Sequence, residues 1–148
     1  ACNCSWDELV AFLEEDDTEN LRYLNDTFVC TCFAERLHNN AEQAGIRAAY
    51  VTVRFSNRTT GHAINAFETT DKGLVYVDCT GDDYMKTGSF DWDRIAYIEE
   101  GKMLGEISLD HTDNPEYEYY IECKENGNTD GFFGEYGVVE KVNVYWEQ

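Results

Sequence analysis

The sequence predicts an α+β fold in which N-terminal helices pack on an antiparallel β-sheet. Phe33, Ala34, Leu37, Ala41 and Ala44 recur at spacings of three and four, which is one face of a helix. From Ile46 the period drops to two along IRAAYVTVRF, HAINAFET and LVYVDC, runs rich in β-branched and aromatic residues. Short polar turns join these runs, and only antiparallel neighbours can be joined that way. The helix is then available to cover one face of the resulting meander.

The chain as a whole sets the bounds. Its 148 residues read as one domain, 1–148, with no internal repeat and no linker. Hydrophobic residues at 43% and aromatics at 14% exclude a disordered chain. Thirty acidic residues against 11 basic ones give a net charge of −19, which repels phosphate backbones and anionic lipid headgroups. Nucleic acid is therefore not an expected partner. No apolar run approaches the ~18 residues of a membrane span, so no membrane insertion is expected. Ala1 is not an initiator Met, and the chain reads as a mature form or an excised domain.

Six cysteines, Cys2, Cys4, Cys30, Cys32, Cys79 and Cys123, form an even set that permits three disulfides. That number and the acidity suit an extracellular or cell-surface setting, where the three sequons at Asn3, Asn25 and Asn57 would matter. The Cys-x-Cys pairs lack the spacing of common zinc knuckles, so disulfides are expected in preference to a metal. No cofactor is expected.

In chain order, Ser5-Trp6-Asp7-Glu8 is a capping box, and Trp6, Leu9, Val10 and Leu13 form the stripe of a helix over 6 to about 15. Glu14–Asn20 is a polar exit and Leu21–Thr27 a loop. Phe28-Val29 is extended, a helix begins near Cys30, and Gly45 ends it in the position of a left-handed stop residue. Strands follow at Ile46–Phe55, His62–Thr69 and Leu74–Cys79, with turns at Ser56–Gly61 and Thr70–Gly73. Further on, Asp82-Asp83 and Asp91-Trp92-Asp93 read as solvated loop, without the spacing of an EF-hand calcium site. Ile95–Ile98 and Met103–Leu109 read as short strands about a Glu99–Lys102 turn. Tyr117, Tyr119, Tyr120 and Ile121 fit helix or strand equally. Phe132-Phe133 lies in a glycine-bearing stretch as a core anchor or a recognition loop, and Val138–Trp146 alternates as a final strand.

The chemistry gathers around Cys30. A cysteine in the first turn of a helix meets the positive end of the macrodipole and unpaired N–H groups, which favour the nucleophilic thiolate. Taken alone, Cys30 also reads as a half-cystine or a small core residue. His38 stands eight residues further along the helix, ~12 Å away, and is too distant to be its base. His62 opens the second strand and Asp78 closes the third. Centring the hairpin on Asp71-Lys72 pairs residues whose numbers sum to about 140 to 143, which makes His62 and Asp78 cross-strand neighbours. Helix-start thiol, imidazole and orienting carboxylate together form a thiol acyl-transfer triad.

Cys30-Thr31-Cys32-Phe33-Ala34, Gly45-Ile46-Arg47-Ala48, Gly61-His62-Ala63-Ile64-Asn65 and Val77-Asp78-Cys79-Thr80 follow one another in an order that resembles the transglutaminase-like superfamily. The resemblance covers about residues 28–81. It implies a papain-like core with Cys30 as nucleophile, His62 as general base and acid, and Asp78 as the orienting carboxylate. Ala34, four residues after Cys30, and Gly45, fifteen after it, select Cys30 over Cys32. The chain departs from the pattern at Cys32, where relatives carry aspartate, at Ile64 for tryptophan and at Cys79 for proline.

The function implied is acyl transfer on peptide or carboxamide bonds of a protein or peptide substrate, as hydrolysis or as cross-linking. The alternatives are a catalytically silent, disulfide-stabilised binding module and a surface structural domain whose triad is incidental. Oligomeric state and physiological substrate are left open.

Overall fold

The computed structural model describes residues 1–20, 30–80, 92–133 and 136–146. The expected loop at Leu21–Thr27, the extended Phe28-Val29, Asp82-Asp83 and Asp91 lie outside the described residues. The architecture is α+β. Among the described residues, helices α1 (Trp6–Glu15), α2 (Cys30–Gln43) and α3 (Tyr117–Glu125) accompany a seven-stranded antiparallel sheet. The strands are β1 (Ala49–Phe55), β2 (His62–Thr69), β3 (Gly73–Asp78), β4 (Arg94–Tyr97), β5 (Gly105–Ser108), β6 (Phe132–Phe133) and β7 (Val139–Tyr145). Their order across the sheet is β6-β5-β4-β3-β2-β1-β7.

Alternation along each strand gives the sheet two apolar faces. On one face Phe67, Val75, Val77, Ile95, Tyr97 and Ile107 meet Trp6, Leu9 and Leu13 of α1 and Phe33, Leu37 and Ala41 of α2, with Tyr120 of α3. On the other, Val51, Val53, Phe55, Ile64, Ala66 and Ala96 pack with Leu104 and Val139. Among the described residues no helix contributes to this second core. The sheet closes over it by curling, because the start of β7 meets the β4–β5 connection. Val139 N–H donates to Lys102 O at 2.9 Å and Leu104 N–H to Gly137 O at 2.9 Å.

Local chemistry explains the ends of the elements. The Ser5–Glu8 capping box forms as expected at α1, and Trp6 N–H also donates to Asp71 Oδ1 at 2.8 Å, tying α1 to the β2–β3 turn. Gly45 takes φ +85° after α2, a conformation that Cβ-bearing residues rarely adopt. The first strand begins at Ala49 and not at Ile46, because Ile46 and Arg47 are engaged by the N-terminal segment: Cys2 N–H donates to Gly45 O and Arg47 N–H to Cys2 O. The tyrosine-rich stretch is helical, since Tyr117, Tyr120 and Cys123 recur every three residues and Tyr120 and Cys123 are buried. Gly105 admits this helix, for a Cβ there would lie 1.9 Å from Tyr120 Oη. None of the six cysteines is joined in a disulfide, so the structure contains none of the three expected bridges. Cys30 and Cys32 project ~200° apart around α2, and Cys79 spends its S–H on Phe33 O at 3.5 Å.

Asn65 locks α2 over the sheet. It is fully buried, and its Nδ2 donates to Ala34 O (2.9 Å) in α2 and to Ala49 O (3.1 Å) in β1. Asn65→Leu keeps the volume and strips both bonds, and it is expected to cost about 2 kcal/mol in chemical denaturation. An unchanged denaturation midpoint would show that these two bonds do not hold the helix.

Candidate active site

The strands deliver four polar side chains to one end of the helix-free face. His62 lies in phase with Ile64 and Ala66, Asp78 with Tyr76, Arg94 with Ala96, and Glu106 with Ser108, so strand alternation points all four the same way. The β2–β3 register is Asn65↔Val77 through Thr69↔Gly73, a constant sum of 142. His62 and Asp78 are therefore diagonal neighbours, offset by two positions, and not directly opposite. An even offset preserves the face, so the pair still meets: His62 Nε2 lies 2.7 Å from Asp78 Oδ2.

The Asp78 contact assigns the imidazole. Asp78 is completely buried and holds Nε2, so Nδ1 is the ring nitrogen left for Cys30. Cys30 is the first residue of α2, and its thiol is near enough to His62 and to the backbone N–H of Ala63 for both to act on its ionisation. The contact is open because β2 runs past its last partner in β3, leaving residues 62–64 unpaired on that edge. Cys30, His62 and Asp78 thus stand together, with the imidazole facing both the thiol and the carboxylate. His38 pairs instead with Glu42, at 3.9 Å on the same helix.

The electrostatics favour charge on all three groups. Burial pushes the Cys30 thiol up, but the hydrogen bond and charge of His62 and the Ala63 N–H outweigh it and leave the thiol below its ordinary value. Burial pushes His62 down, and the charge and hydrogen bond of Asp78, with the bond to Cys30, carry it well above the ordinary imidazole range. For Asp78, burial is overcome by the charges of His62 and Arg94, which hold its carboxyl well below the usual carboxylate range. The state these shifts favour is thiolate, imidazolium and carboxylate.

Three more residues complete the site, and none was named by the sequence reading. Arg94, on β4 and nearly fully buried, reaches Glu106 Oε1 with Nε (3.2 Å), Asp78 Oδ1 with Nη2 (3.5 Å), and the carbonyls of Thr80 (2.9 Å) and Trp92 (2.8 Å) with Nη1. Glu106 of β5 is completely buried and also accepts from Tyr136 Oη at 3.1 Å. Tyr136 stacks on the His62 ring, with centroids 5.7 Å apart and planes 11° apart. The sequence signal for Arg94 and Glu106 is a lone charged residue in a short apolar strand. That pattern ordinarily means a solvated outer face, and here both faces are covered.

His62, Asp78 and Glu106 also present ligand atoms within 4.8 Å of one another, the donor set of a divalent metal. The guanidinium of Arg94 already reaches both carboxyl groups, and the 2.7 Å His62–Asp78 contact leaves no room between those atoms for an ion. The residues fit a hydrogen-bonded triad with a buried ion-pair support better than a metal centre.

No family model, curated protein or solved structure matches this chain. Among the described residues, no helix is long and apolar enough to cross a membrane.

Proposed function

We propose that the protein is a thiol-dependent acyl-transfer enzyme acting on peptide or carboxamide bonds through Cys30, His62 and Asp78. The observation that carries this reading is the imidazole of His62 set beside the α2 thiol and held by a fully buried Asp78, whose Oδ2 lies 2.7 Å from Nε2. Cys30 thiolate attacks the carbonyl carbon. Backbone N–H groups near Cys30, at the positive end of α2, serve the oxyanion. His62 passes its proton to the leaving amine as the C–N bond breaks and the thioester forms; His62 then takes a proton from the incoming water or amine, whose attack breaks the C–S bond and releases the product with Cys30 as thiolate again. A papain-like or transglutaminase-like core is the finer architecture we propose. It is supported by the helix-start cysteine set against antiparallel strands that carry the histidine and the aspartate. A protein or peptide is the proposed substrate.

The pH dependence follows from the two shifts. At ordinary values, thiol 9.0 and imidazole 6.5, thiolate and imidazolium would not coexist at useful concentration. Here the thiol is lowered and the imidazole raised, so the ion pair forms as pH rises through the lowered Cys30 value and is lost as pH rises through the raised His62 value. Reactivity is expected across the interval between them.

The test is alkylation of the native, unreduced protein with iodoacetamide at about pH 6, followed by peptide mapping. Cys30 is expected to label first among the six cysteines, and His62→Ala to slow its labelling by about 10²-fold. Labelling of Cys30 no faster than Cys2, which is exposed, would replace the enzyme by a silent module.

A further inference from the structure

Glu106 sits where a second negative charge is hard to hold. It is completely buried, its partner across the site is the buried Asp78, and a single guanidinium, Arg94, serves both. Oε1 is satisfied by Arg94 Nε and Tyr136 Oη, both donors. Oε2 is buried and finds no hydrogen-bond donor among the described residues. The donor atoms of Glu106 and Asp78 lie within 4.8 Å of each other. A proton on Oε2 satisfies that orphan by turning it into a donor toward Asp78.

Counting charge gives the same answer. With Glu106 neutral, the thiolate, imidazolium, Asp78 carboxylate and Arg94 guanidinium sum to zero. Once the thiol is acylated and His62 is neutral, Asp78 and Arg94 again sum to zero. An ionised Glu106 would leave an uncompensated buried charge in both states, at a cost that buried sites avoid by taking up a proton.

We propose that Glu106 is a positioning residue of the triad. It is held as a carboxylic acid that donates a hydrogen bond to Asp78, keeps Asp78 a weak base, and leaves the proton of the Asp78–His62 contact on the imidazole. Burial and the Asp78 charge raise Glu106 well above the usual carboxyl range, against the pull of Arg94 and His62, in keeping with this role. The groups facing it are Asp78 from β3, Arg94 from β4, His62 from β2 and Tyr136 ahead of β7. The role rests on the Cys30–His62–Asp78 reading; the proton itself does not.

Two readouts test it. Infrared spectra of the folded wild-type protein near pH 7 are expected to show a carboxylic-acid C=O band that Glu106→Gln removes. A band that is absent, or unchanged in the variant, overturns the proposal whether or not Cys30 is reactive. The second readout is the pH profile of Cys30 alkylation by iodoacetate, an anion drawn in by the imidazolium, so that its rate falls as His62 loses its proton. Gln is neutral and its amide still donates to Asp78, so the alkaline limb should stay within about half a pH unit. If Glu106 were ionised, the same substitution would take a negative charge from beside the imidazolium and move that limb to lower pH, which would also overturn the proposal. Glu106→Leu removes the donor, leaves Asp78 more basic and is expected to move the limb up, with Gln restoring it. A Leu variant with wild-type limbs would reduce Glu106 to a packing residue. If the Leu variant does not fold, the infrared band and the Gln profile still decide.

Discussion

Asp78→Asn is expected to lower turnover by on the order of 10⁴-fold while the protein remains folded. The reason lies in which atoms already surround Asp78. Oδ1 accepts from Thr80 N–H at 2.9 Å and faces Arg94 Nη2 at 3.5 Å, and both of these groups are donors. An asparagine there must turn its carbonyl oxygen toward them, which leaves its NH₂ pointing at His62 Nε2. An amide N–H facing Nε2 requires that nitrogen to be the acceptor, so the imidazole proton moves to Nδ1, toward Cys30. In that tautomer His62 cannot accept the thiol proton and no longer carries the charge that lowers it. Before a substrate is known, Cys30 alkylation at about pH 6 reads the same effect, because the thiol should return to an ordinary, slow rate. A rapidly labelled Asp78→Asn variant would mean that the Asp78 contact does not govern the imidazole.

Arg94→Met is expected to be the most destabilising single change in the site, at about 3–5 kcal/mol in urea denaturation. Arg94 is 3% exposed, offsets the charge of the completely buried Asp78 and hydrogen-bonds the completely buried Glu106. Methionine fills similar space but leaves Asp78 without its cation and the carbonyls of Thr80 and Trp92 without their donor. Arg94→Lys restores the charge without the fork. A single ammonium does not reproduce the separate Nε, Nη1 and Nη2 contacts, so Lys should recover only part of the loss. Equal stability of Lys and Arg at this position would show that charge alone matters here.

The parts of the fold visible in the sequence are those set by short-range chemistry. Ser5 and Glu8 predict the start of α1 because a capping box is complete within four residues. The stripe from Phe33 to Ala41 predicts α2, and Cys30 at its first position, because the periodicity is that of burial itself. Tyr117–Ile121 was undecidable from sequence, since tyrosine and isoleucine suit strands and only packing against Tyr97 and Phe132 makes the three-residue spacing count. The exact pairing of His62 with Asp78 depends on a turn running from Thr69 to Gly73, where Thr69 Oγ1 accepts from Lys72 N–H and donates to Gly73 O. The hairpin estimate placed the two residues on one face and missed the two-residue offset.

Thiol, imidazole and carboxylate, in that order, are legible in the chain alone, because a cysteine at a helix start, a histidine at a strand start and an aspartate at a strand end each sit on an element set by local periodicity. What surrounds them is settled by packing between strands remote in sequence. Arg94, Glu106 and Tyr136 come from strands and a loop remote in the chain, and they reach Asp78 and His62 only because β3, β4 and β5 pair in order and the sheet curls to bring Tyr136 over the imidazole. A charged residue in a strand reads as solvent-facing until both faces of the sheet are known to be covered. Burial then forces it to find a partner, and the partner it finds sets the charge of the site.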